Sequence, residues 1–118
     1  MLHVSQSALA PPDARACLIS ARTAASAAGV PLGELFQPSR RSRASAGARA
    51  LAMYLAHVGL GLPIARVAAG FGRHRSTVAH ACRRIEESRE VSNWDRRVGT
   101  LEDEVRRATS GEGARHDA

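Results

Sequence analysis

Residues 71–87 read FGRHRSTVAHACRRIEE, and their types and spacing are those of a surface that binds polyanions. Val78, Ala81, Cys82 and Ile85 recur at i, i+3, i+4 and i+7, so one face of a helix over about 75–90 can pack on a core. Arg75, Ser76, Thr77, His80, Arg83 and Arg84 fall on its other faces. Guanidinium groups pair with phosphates and with the O6 and N7 of guanine. Small hydroxyls suit phosphates and the thymine methyl. A helix of this composition fits a DNA groove.

Other chemistry has less support. His74, His80 and Cys82 match no common zinc spacing, and Cys82 faces inward while His80 faces outward, so no metal is expected. No Ser-His-Asp or Cys-His set can be assembled, so neither an enzyme nor a cofactor is expected. A phosphate loop of the form G-x-x-x-x-G-K-[ST] requires lysine, and all 17 basic residues are arginine, so no nucleotide is expected. Cys17 and Cys82 are the only cysteines and read as small core residues.

The elements that must position the basic helix follow from turn residues and periodicity. A flexible lead is expected over 1–12. Asp13 then caps a helix over about 13–28 with Ala14, Cys17, Leu18, Ala21, Ala25 and Ala28 inward, ended by Gly29. Leu32, Leu35 and Phe36 belong to a short helical turn, and PSRRSRA at 38–44 reads as a basic arm. A helix over about 46–58 carries the stripe Ala48, Leu51, Ala52, Leu55 and Val58, with Met53 and His57 off it. Pro63 opens a short helix over about 63–69, which the Gly70–Gly72 turn joins to the basic helix. A short helix, a glycine turn and a longer basic helix make a helix-turn-helix.

Beyond it, Trp94, Val98, Leu101 and Val105 form a narrow stripe on a helix over 91–108. The stripe either docks on the core or makes a homodimer seam, and two heptads are too few to require a coiled coil. Residues 109–118 are expected to be disordered. The fold class is therefore all-α, with domain limits at 13–90.

Charge is concentrated where the motif lies. Residues 40–89 carry ten arginines against two acids, whereas 1–39 are neutral and 90–118 carry five arginines against seven acids. Such a field attracts nucleic acid. The four aromatic residues are too few to favour stacking on single strands. No signal-peptide pattern and no apolar run near 18 residues is present, so a cytoplasmic, nucleoid-associated protein without a membrane partner is expected.

Four blocks carry a resemblance to a known family: RRSR at 40–43, ARALAMYLA at 48–56, LP at 62–63 and FGRHRSTVAHACRRIE at 71–86. They resemble the C-terminal DNA-binding domain of the bacterial replication initiator DnaA, whose signature runs FGGRDHTTVxHACRKIE. The resemblance implies an all-helical domain of Trp-repressor-like architecture, here free-standing without the ATPase domain. It implies a minor-groove contact for Arg41, with Arg43 as a neighbour able to substitute, and a DNA contact for Arg49. It implies an approach to the DNA backbone at Leu62 and Pro63, and contacts by Arg73, Ser76, Thr77 and His80. The family's Asp-His pair is His74-Arg75 here. That exchange removes an acceptor for a cytosine amine and adds a guanine or phosphate binder. It bears on whether the family's nine-base-pair box is the preferred site.

Together these features predict a sequence-specific double-stranded DNA-binding protein. It would act in transcription or DNA replication, with Arg49, Arg66 and Arg73 on phosphates. The competing reading is a protein-interaction module that keeps only non-specific DNA affinity.

Overall fold

The computed structural model describes residues 9–37 and 42–117, with side chains as far as 111. The lead at 1–8 and the centre of the arm, including Arg41, lie outside the described residues. Those that are described form helices and turns with no strand.

Helix α1 spans Pro11–Ala28. It starts two residues before the expected point because Pro11 and Pro12 occupy the first helical positions, where a missing N–H costs nothing. Asp13 is therefore in the first turn rather than at the cap, where its charge still suits the helix dipole. Gly29, at φ 69°, closes the helix in the left-handed conformation.

The buried face of α1 differs from the expected one. Ala16, Cys17, Ile19, Ser20, Ala21, Ala24 and Ala25 are buried, while Ala14, Leu18 and Ala28 are exposed. The helix lies against three others, so its buried arc is wide, and alanine on both sides of the arc leaves the centre of the face undetermined by sequence.

A 3-10 helix, Leu32–Phe36, follows. Helix α2 spans Arg43–Tyr54 and begins three residues earlier than predicted, because Ser42 accepts a hydrogen bond from the Ser45 N–H at 3.1 Å as its cap. Arg43 is thus the first residue of α2 rather than part of the arm. The predicted single helix does not run on to Val58. It passes into a π-helical turn, Leu55–Gly59, where Leu60 N–H bonds to Leu55 O at 2.9 Å. Met53 is buried within the core, whereas Val58 is 41% exposed.

Helix α3, Ile64–Phe71, has Pro63 as its N-cap and Gly72, at φ 64°, at its C-terminal end. Helix α4, Arg75–Ser88, follows after a turn and completes the helix-turn-helix. Gly70 lies so close to the Cys17 thiol that any Cβ there would collide with it, which sets the approach of α3 to α1.

Helix α5 spans Ser92–Asp117. The main chain of 109–117 is helical, which corrects the expected disordered tail. Val98, Leu101 and Val105 are 0%, 2% and 0% exposed, so the stripe docks on the core. Each such burial is worth roughly 1.5–3 kcal/mol. A homodimer seam through these residues would have to undo that packing, so the seam is not supported. Trp94 is half-buried, and its Nε1 donates to Ser88 Oγ at 2.7 Å.

Candidate nucleic-acid interface

Val78, Ala81, Cys82 and Ile85 are the buried residues of α4, which is the predicted stripe. The opposite arc leaves Arg75, Ser76, Thr77, His80, Arg83 and Arg84 exposed. Four of these are in the first two turns, the part of a recognition helix that meets base edges.

His74 is exposed and serves as the N-cap of α4. Its Nδ1 accepts from the Ser76 N–H at 3.3 Å and lies 3.0 Å from Ser76 Oγ. Accepting at Nδ1 requires the neutral ring protonated on Nε2. The cap satisfies one of the orphan donors at the helix start.

Between α2 and α4 runs a cleft of about 480 Å³. Arg43, Arg49, Thr77, His80, Arg84 and Ser88 supply its polar lining, beside the small residues Ala46, Gly47 and Ala50. The groove is thus continuous with the exposed face of α4. Among the described residues the arginines of this face have no carboxylate within ion-pair distance.

The remaining predicted contact residues divide. Pro63 and Arg66 are exposed at the start of α3. Arg66 pairs with Asp13 at 3.5 Å, and its side chain is 60% exposed. Such a surface pair is worth little and yields readily to a phosphate. Leu62 is 9% exposed and packs in the core.

Arg49 is the least exposed of the described residues among the predicted contacts. It was expected on the phosphate-binding surface, but it is 6% exposed. Its Nε donates to Leu35 O at 2.9 Å, and Nη2 donates to Glu34 O at 3.3 Å and Gln37 O at 3.4 Å. The end of a 3-10 helix leaves carbonyls without intrahelical donors, and a guanidinium fork matches them. Arg73 is half-buried and also donates to Gln37 O.

Sequence reasoning missed a second polar centre at the far end of α4. Arg89 donates to Asp95 at 2.6 Å, to Glu102 at 3.0 Å and to the Tyr54 hydroxyl at 2.9 Å. Burial works against the charge of Arg89, but the hydrogen bonds it donates to Asp95, Tyr54 and Glu102 outweigh it and hold its pKa above the ordinary value. The only signal in the sequence was an arginine after the apolar stripe had ended.

A short helix, a glycine turn and an exposed basic helix braced by a helical core define a DNA-binding helix-turn-helix domain. Residues 21–85, more than half of the chain, match the family described as bacterial dnaA protein helix-turn-helix. The chain belongs to that family. No curated protein and no solved structure matches it.

Proposed function

We propose that this protein binds duplex DNA sequence-specifically and acts as a transcriptional regulator or as a modulator at initiator-type sites. The observation that carries this reading is the exposure of Arg75, Ser76, Thr77 and His80 together on the first two turns of α4. In this reading α4 enters the major groove. Arg75 takes a guanine bidentately, with Ser76, Thr77 and His80 on neighbouring bases or phosphates. Arg43, at the start of α2, or Arg41 enters the adjacent minor groove, and Arg66 and Pro63 lie along the backbone. His74 caps the helix, and its edge faces the same DNA. No helix among the described residues is long and apolar enough to cross a membrane, and nucleoid association follows from DNA binding.

The test is selection of bound duplexes from a random pool at about 150 mM salt, near physiological ionic strength. A motif should be enriched. Arg75→Ala should then weaken the selected duplex by about 1–3 kcal/mol and relax one position of the motif. An unenriched pool refutes the reading and leaves a module with only non-specific affinity.

A further inference from the structure

Arg49 and Arg73 reach the same atom from different elements. Arg49 comes from α2, Arg73 from the turn before α4, and both donate to Gln37 O. Gln37 is the residue from which the arginine-rich stretch departs. Ser42, the cap of α2, is held by the same cluster. It caps α2 through the Ser45 N–H at 3.1 Å, and Ser45 Oγ donates to the Glu34 carboxylate. Glu34 O is in turn an acceptor for Arg49. Gln37 and Ser42, on either side of Arg40 and Arg41 in the sequence, are therefore fastened to one hydrogen-bonded knot, and that knot includes the residue two before α4.

We propose that Arg49 and Arg73 are positioning residues, which fix the backbone at Gln37 against the start of α4 and so set the spacing between the two DNA-reading elements. This rests on the reading of α4 and the arginine arm given above. Two elements that enter adjacent grooves bind best when their separation matches that of the grooves. A clamp that removes slack between them lowers the ordering cost on binding. Burial of Arg49 suits this role, because its guanidinium, although it lines the cleft between α2 and α4, is bonded to three backbone carbonyls.

The clamp and a phosphate contact differ in sign on one observable. A phosphate contact releases counterions, so its loss flattens the salt dependence of binding by about one unit of slope. Loss of a positioning residue leaves the slope unchanged and removes preference for bases on one side of the motif. The experiment uses the full chain, the duplex that it selects from the random pool, and a scrambled duplex of equal length. Arg73→Gln should weaken the selected duplex about tenfold and the scrambled one less than about twofold, at unchanged slope. Reselection with this variant should keep the position that depends on Arg75 and lose preferences beside it.

Equal weakening of both duplexes with a flatter slope would overturn the proposal and return Arg73 to the phosphates. Unaltered affinity and motif would overturn it as well. Arg49→Met should behave as Arg73→Gln does. If that buried substitution fails to fold, the half-exposed Arg73 decides alone. A wild-type chain that selects no motif refutes the sequence-specific reading before any variant is made, which separates that failure from the failure of the clamp.

Discussion

Arg89 donates to the Tyr54 hydroxyl at 2.9 Å, and that hydroxyl donates to Glu86 at 2.9 Å. The bond joins the end of α4 to the end of α2. Because Arg89 also holds Asp95 and Glu102, the far end of α4 is fixed to α5 as well.

Removing Arg89 leaves Glu102 without this partner, and that carboxylate side chain is only 10% exposed. Arg89→Ala should cost about 2–3 kcal/mol in urea unfolding, below the figure for a fully buried pair because the guanidinium is 21% exposed. Arg97→Ala on the exposed face should stay within about 0.5 kcal/mol. Equal small effects from the two variants would show that Arg89 is an ordinary surface charge.

Helix α5 is part of the core rather than an appendage. Truncation after Arg89 deletes Val98, Leu101 and Val105, each worth roughly 1.5–3 kcal/mol of burial. A domain is stable by only about 5–15 kcal/mol in total, so the shortened chain should not fold. Far-ultraviolet circular dichroism and thermal melting check this. A cooperative melt near that of the full chain would mean that α5 is dispensable.

The cap of α4 is open to improvement. Histidine accepts one hydrogen bond there only in its neutral form, whereas a carboxylate accepts more strongly and complements the helix dipole. His74→Asp should raise stability by about 0.5–1 kcal/mol. The same variant restores an acceptor that suits a cytosine amine, so its selected motif should shift at one position. A destabilised His74→Asp variant would contradict the capping geometry.

Burial pushes both thiols up to about 11 from 9.0, with Asp13 adding to the effect at Cys17 and Glu86 at Cys82. Below pH 9.0 the native and unfolded states hold both thiol protons and this contribution to stability is intact. As pH rises from 9.0 to about 11 the unfolded chain loses protons that the native state retains, so stability falls. The loss is about 2–3 kcal/mol per thiol at most. Urea melts across that window should show it, and Cys82→Ala should have the shallower pH slope. Parallel slopes would rule out the thiol origin.

The exposed face of α4 was legible because the helix is strongly two-faced. Val78, Ala81, Cys82 and Ile85 are the apolar residues among arginines and hydroxyls, so only one orientation buries them. The stripe of α5 was legible for the same reason, although its spacing alone did not decide between docking and pairing. In α1 the reading drifted, because alanines near the edge of a wide buried arc carry almost no signal about which way they point. The π-helical turn was invisible in the sequence. It depends on contacts with α5, where Arg106 donates to Gly59 O at 2.9 Å and a Cβ on Gly59 would press on Val105.

The sequence by itself determined the helical class, the helix-turn-helix, the family and the face of α4 that stays outside. These follow from local periodicity, turn residues and a signature string, which need no knowledge of neighbours. Only the tertiary structure decided what each arginine does. Arg49, Arg75 and Arg89 are the same residue type on similar helices. One meets backbone carbonyls at the end of a 3-10 helix, one meets solvent, and one meets two carboxylates and a phenol. A guanidinium takes its role from whichever acceptors the fold brings within about 3 Å, and that distance is set by packing between elements remote in sequence.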